Sequence, residues 1–351
     1  MNSTQQVFNN KNFQFISGIT ILGDANKFFD FEIYASNSNN QDDWQEIACS
    51  RECVGSSVVV TFIRPINSFL FKIEFIGDFE NTKVLFSPYK VLSKLEALAK
   101  IADKSIIFIG CARNCASKIQ ESVRNLDVIG KLFKNYKIII FENDSTDETL
   151  QELNRIKSEI PVEIITMAKL DESFLMRTHR LSFARNMLLR RVKDEVPDYF
   201  CVADLDGVMG KTLSIDGVLS NFTHIGCWDA VFPVTNNFYY DIWALRQADI
   251  CLGDYMVAMD KMSPIFDRQV ALDFHLRRIA SIKFRDLKGW LSVDSAFGGI
   301  GFYRTNSFIF SNYFGGINST EICEHVIFHK KAKLQGAMLY INPNFIVDSE
   351  F

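Results

Sequence analysis

Phe200-Cys201-Val202-Ala203-Asp204-Leu205-Asp206-Gly207 is a hydrophobic run that ends in two carboxylates set two residues apart. In extended backbone, positions i and i+2 point the same way, so Asp204 and Asp206 address one hard cation and its bound diphosphate oxygens. Taken alone, an Asp-x-Asp triplet is as readily a solvated turn at the end of a strand, and the neighbouring pattern decides. Working back from it, the chain alternates strand and helix: strands at 105–109, 136–141, 162–166 and 199–203, with helices at 116–133, 146–158 and 180–192 between them. Such alternation builds parallel strands covered by helices. Ligands of open α/β sheets lie beyond the carboxyl ends of the strands, so the residues just after each strand are the ones to weigh.

Three segments meet that condition or lead to it. After the first strand comes Gly110-Cys111-Ala112-Arg113-Asn114, whose small residues admit a ligand to the backbone and whose Arg113 and Asn114 are placed to line a nucleotide pocket. After the second comes Phe141-Glu142-Asn143-Asp144-Ser145-Thr146, in which Thr146 is the expected helix cap while Glu142, Asn143 and Asp144 are expected to accept hydrogen bonds from a base or ribose. Leading to the Asp-Leu-Asp strand, Arg177, Arg180 and Arg185 supply guanidinium groups suited to phosphate. Each has a plainer reading as well: a capped turn, or a surface helix with scattered arginines.

The first ninety residues differ. Short β-rich runs at 13–22, 29–34, 44–48, 57–63 and 69–75, punctuated by Gly, Asn, Asp and Pro, predict a small sandwich. Its stretch 32–47 with the later Phe62-Ile63-Arg64 is similar to the discoidin-like or carbohydrate-binding sandwich pattern, which implies a glycan-binding accessory module. A purely structural β domain is the alternative. Helical spacing of Val91, Leu92, Leu95, Leu98 and Ile101 predicts a connecting helix. The expected division is 1–92 for the β domain, 93–104 for the connector and 105–351 for the α/β domain.

The 351 residues are 48% hydrophobic and 23% charged, values of a folded globular chain, and a net charge of -4 speaks against a nucleic-acid partner. The opening residues do not read as a secretory signal, and no run approaches the ~20 apolar residues of a membrane span. The expectation is a cytoplasmic protein, any membrane contact being peripheral at the inner surface. The eight scattered cysteines read as reduced thiols.

In their order along the chain, these segments resemble the GT-A glycosyltransferases. Later motifs sharpen the likeness: Trp228-Asp229-Ala230, the run Tyr239-Tyr240-Asp241-Ile242-Trp243-Ala244-Leu245-Arg246, Asp294-Ser295-Ala296-Phe297-Gly298-Gly299, and Glu321-Ile322-Cys323-Glu324-His325. Together they look like the fungal capsule-associated α-1,3-mannosyltransferase family and its bacterial and viral relatives, over residues 105–351. The resemblance implies an α/β GT-A (Rossmann-like) domain that moves a hexose from a GDP- or UDP-linked nucleotide-sugar to a glycan acceptor, leaning toward GDP-mannose and retention. It implies Mn2+ or Mg2+ held by Asp204, Asp206 and His325, with Asp204 also near the ribose. Glu324 and Asp294 become the candidate catalytic carboxylates, and Asp241, Trp243, Gly298 and Gly299 the border of the sugar. Two other classes stand beside this reading: a sugar- or nucleotide-binding protein without turnover, and a sugar nucleotidyltransferase. The second lacks its Gly-rich phosphate loop here, as does a dinucleotide-dependent dehydrogenase.

Overall fold

A computed structural model describes residues 3–10, 14–22, 31–37, 44–68, 70–76, 82–207, 213–236, 239, 241–262, 264–267, 269–270, 273, 279, 282–317 and 320–347. Tyr240 and the polar loop 38–43 lie outside these. The chain divides into two compact units, Met1–Val91 with Lys288–Ser292, and Leu92–Leu287 with Val293–Phe351.

Among the described residues, the N-terminal segment of the first unit carries β1 (Ser3–Asn9), β2 (Ile16–Leu22), β3 (Phe31–Ser36), β4 (Gln45–Glu46), β5 (Cys49–Val54), β6 (Ser57–Ile66), β7 (Leu70–Ile76) and β8 (Lys83–Pro88). They pair antiparallel in two sheets, ordered β1-β7-β3-β4 and β5-β6-β2-β8. One face of each sheet is apolar, and Ile19, Ile21, Ile33, Val60, Phe71, Ile73 and Phe75 join in a single buried cluster. This is the expected sandwich. Strands β1, β5 and β8 extend it beyond the sequence reading, because at the sheet edges their side chains are mostly polar or half-exposed.

The second unit opens with α1 (Lys94–Ile101), begun by a capping box in which Ser93 and Glu96 exchange hydrogen bonds. Then follow β9 (Ser105–Ala112), α2 (Ala116–Gly130), β10 (Asn135–Asn143), α3 (Thr149–Ile156), β11 (Val162–Met167), α4 (Leu170–Ser173), α5 (Arg177–Glu195) and β12 (Tyr199–Asp204). The chain continues with α6 (Ile215–Phe222), β13 (Ala230–Thr235), α7 (Tyr255–Met262), β14 (Leu291–Ser292, within the first unit), β15 (Ile300–Arg304), α8 (Thr305–Phe308), β16 (Gly316–Ile317), β17 (Thr320–Glu321), α9 (Glu324–Lys333) and β18 (Leu339–Val347).

The second unit's sheet runs β11-β10-β9-β12-β15-β13-β18. Its first four strands are parallel; β15 is antiparallel to both β12 and β13, and β18 is parallel to β13. The fold class expected from sequence, a mixed α/β sheet preceded by a small β unit, is therefore the one observed. Strands β9, β10 and β12 are buried almost throughout because helices cover both faces, which is why they read as unbroken apolar runs. The chain builds outward from β9 through β10 to β11 and then returns to β9's other side as β12. The carboxyl ends of β9 and β12 thus flank the point where strand order reverses, where ligands of such sheets lie.

Gly110 shows how tightly those two ends are joined. A Cβ there would stand 2.7 Å from Leu205 Cδ1 and 2.9 Å from the Ala203 carbonyl oxygen. Gly110→Ala is expected to push Leu205, the residue between the two aspartates, and to cost about 1–3 kcal/mol as overpacking does. Urea unfolding measures it; an unchanged midpoint would show that the two ends are free to part.

Candidate functional site

A cavity of about 600 Å³ opens beyond β9 and β12. Among the candidate site residues read from sequence, Arg113, Asn143, Arg177, Arg180, Arg185, Asp204, Asp206, Asp241, Trp243, Glu324 and His325 line it. They come from the ends of β9, β10 and β12, the first half of α5, the loop after β13 and the start of α9.

Asp204 closes β12, its backbone N–H donating to the Gly299 carbonyl at 2.8 Å. Arg185 donates to Asp204 Oδ1 at 3.2 Å and also pairs with Glu324. Arg185 and Glu324 are both about 5% exposed, and the guanidinium lies 5.5 Å from the Phe297 ring and 5.8 Å from that of Tyr313. Arg185 is thus a buried counterion for two carboxylates rather than a group free to meet phosphate. Glu324, correspondingly, is engaged by Arg185. Burial pushes the Asp204 carboxyl up to about 7 against the pull of Arg185, with Asp206 and Asp241 adding to the rise. Asp206, one pleat further on, is exposed in the cavity.

His325 is 3% exposed, stacked 3.9 Å from the Phe297 ring, and neither ring nitrogen has a hydrogen-bond partner. Burial, aided by Arg185, holds it well below the ordinary histidine range, so the ring is neutral with a free lone pair. Among the described residues no group of three His, Cys, Asp or Glu side chains is placed so that it could hold a metal ion by itself. Asp204, Asp206 and the imidazole of His325 nonetheless line one cavity, and carboxylate and imidazole are donor types that a divalent ion such as Mn2+ accepts.

Three cations stand at the mouth. Arg113 donates to Asp171 Oδ1 at 2.7 Å, and Arg180 Nε lies 3.3 Å from the same oxygen. Arg177, on the first turn of α5, is exposed and forms no ion pair among the described residues. Asp171 gave no sequence signal; only the tertiary fold brings α4 against the loop after β9.

Asp241 receives the Gly298 N–H at Oδ2, 3.1 Å, and burial raises its carboxyl above the ordinary range against the hydrogen bonds of Gly298 and Ala244. Gly298 and Gly299, at φ +76° and +87°, do not line the cavity themselves. Their left-handed backbone turns one N–H onto Asp241 and one carbonyl onto the Asp204 N–H.

Five further residues expected at the site or at a helix cap are placed differently by the structure. Asn114 is used within the fold, its Oδ1 accepting from the Thr146 N–H at 2.7 Å. Glu142 is buried and accepts from Ser145 N–H at 3.1 Å. Asp144 caps α4, accepting from the N–H groups of Lys169 (2.6 Å) and Leu170 (2.9 Å). None of the three lines the cavity. Thr146 is no cap either: Asp147 accepts the Thr149 N–H at 3.0 Å and the Ala116 N–H at 3.1 Å, tying α3 to α2. Asp294, expected as a catalytic carboxylate, also lies outside the cavity. Its side chain is 60% exposed and pairs with Lys333 at 3.2 Å.

Among the described residues none of the eight cysteines is in a disulfide. Among the described residues no helix is long and apolar enough to cross a membrane.

No protein-family model matches the chain, and no curated protein matches it. Solved structures do. The mannosyltransferase PcManGT from Pyrobaculum calidifontis, in complex with GDP-Man and Mn2+, is similar over 70% of this chain and 57% of its own at 12% identity and a TM-score of 0.42. S. aureus TarS in complex with UDP is similar over 69% and 59% at 10% identity and a TM-score of 0.39. Glucosyl-3-phosphoglycerate synthase from Mycobacterium tuberculosis, in complex with Mn2+, UDP and phosphoglyceric acid, is similar over 73% and 74% at 11% identity and a TM-score of 0.38. The chain spans less than two thirds of the first two. Overlaps of this size carry no weight for function.

Proposed function

We propose that the chain is a divalent-metal-dependent glycosyltransferase of the GT-A type, transferring a hexosyl group from a nucleotide-sugar to a glycan acceptor. The observation that carries this reading is one cavity at the strand-order reversal in which Asp204 and Asp206, the unpartnered imidazole of His325 and the cations Arg113, Arg177 and Arg180 meet. Asp204, Asp206 and His325 would hold the metal. A divalent ion there offsets the charge that develops on the leaving diphosphate. Arg177, which forms no ion pair among the described residues, would meet the phosphate oxygens as they gain charge, and Arg113, lining the same cavity, would share that role. Asp241 faces the sugar hydroxyls with a carboxylate held in place by the Gly298 N–H. GDP-mannose heads the candidate donors through the resemblance to the capsule-associated mannosyltransferases, with UDP-hexoses next.

The test is thermal-shift and donor-hydrolysis screening against UDP-, GDP-, CMP- and dTDP-sugars, with Mn2+ and with EDTA. One donor is expected to stabilise the protein in Mn2+ only; at a hundredfold excess over Kd, mass action gives about 2.7 kcal/mol. No response to any nucleotide in either condition would overturn the reading.

A further inference from the structure

Trp243 lines the cavity half-buried, and its indole does not find its place through packing alone. The Nε1–H is shared between the two oxygens of Asp254, 3.1 Å to each. Arg246 closes the arrangement: one guanidinium nitrogen donates to Asp254 Oδ2 at 3.0 Å, and another to the carbonyls of Trp243 at 2.9 Å and Leu245 at 2.7 Å. The two charged side chains are only 11% and 13% exposed. Asp254 also accepts the Met256 N–H at 2.9 Å, and its carbonyl accepts from Ala258, so the same carboxylate starts α7. Arg246 is itself fixed by backbone hydrogen bonds exchanged with Asp294 and Ser295.

An indole gripped at its ring nitrogen and at its own backbone has its plane defined while part of it stays open to the cavity. An aromatic face held this way suits the C–H face of a pyranose. Asp254 does not line the cavity, so anything it does there it does through Trp243. We propose that Asp254 and Arg246 are positioning residues that fix Trp243 as a platform for a sugar ring. This deepens the glycosyltransferase reading and rests on it.

The experiment compares the affinities of GDP and GDP-mannose, or of UDP and UDP-glucose, whichever pair stabilises the protein, by calorimetry in Mn2+. The affinity ratio within a pair isolates the sugar. Asp254→Ala is expected to cut that ratio by about tenfold while leaving the bare nucleotide unchanged. Asp254→Asn, which keeps an acceptor oxygen and the start of α7, retains most of it. In a Trp243→Phe background, which keeps a ring but has no N–H to grip, Asp254→Ala is expected to change the ratio less than twofold. A ratio unchanged by Asp254→Ala, together with a raised acceptor KM at constant kcat, assigns the platform to the acceptor's ring. Equal loss of nucleotide and nucleotide-sugar affinity, or the same Asp254→Ala effect with and without the indole, overturns the proposal and makes the pair a purely structural brace. If wild type binds no nucleotide, the parent reading falls and this one with it.

Discussion

Asp206→Ala is expected to lower transfer by a factor on the order of 10²–10³ while leaving the fold untouched. The two halves have separate physical causes. Asp206 is exposed and forms no ion pair among the described residues, so its removal deletes no buried contact and should move stability by less than ~0.5 kcal/mol. Its carboxylate nevertheless faces the same cavity as Asp204 and His325, and loss of a ligand to the cation that would offset a developing anion is expected to cost about 10²–10³ in rate, as loss of one preorganised oxyanion donor does. Asp294→Ala is the matched control: that carboxylate is outside the cavity on Lys333, and transfer is expected to stay within about twofold. Measured together, steady-state transfer and the metal-free thermal midpoint decide the case. Full activity in Asp206→Ala would remove it from the metal site, and a loss in Asp294→Ala as large as that in Asp206→Ala would return Asp294 to the chemistry.

What the sequence made legible follows from how local each signal is. The parallel strands declared themselves because burial on both faces leaves no polar residue to break the run, as Ile138–Phe141 shows. Asp204 and Asp206 were readable for the same reason, being the first carboxylates after such a run. The edge strands of the first unit were not, since CSRECV and KVLFSP carry neither a clean alternation nor a hydrophobic run. Arg185 was legible as a cation and misread in role, because Glu324 lies far along the chain and only the approach of α9 to α5 makes the pair. Asp144 and Glu142 were misassigned in the opposite sense. A carboxylate after a strand reaches either a ligand or the backbone of the next turn, and here the N–H groups of Lys169 and Ser145 took them. Asp254 gave no sequence signal, as its partner indole and guanidinium are ordinary in a loop.

Arg185 yields the second large effect, and it is one of stability before activity. The guanidinium is enclosed with Glu324 at about 5% exposure and hydrogen-bonded to Asp204, with Phe297 and Tyr313 against it. Replacing it by methionine fills the volume but leaves a buried carboxylate without its counterion, a change that costs about 3–5 kcal/mol. For a unit of this size that corresponds to a fall in Tm on the order of 10 °C. Arg185→Lys should recover little, because a single ammonium cannot span two carboxylates as a planar guanidinium does. Adding Glu324→Gln to Arg185→Met removes the stranded charge, so the double variant is expected to be more stable than Arg185→Met alone, a coupling that a thermodynamic cycle reads directly. If instead Arg185 were a phosphate ligand, Arg185→Met would melt at the wild-type temperature and lose only nucleotide affinity. A wild-type Tm in that variant would overturn its role as counterion and return it to the ligand-binding group with Arg113 and Arg177.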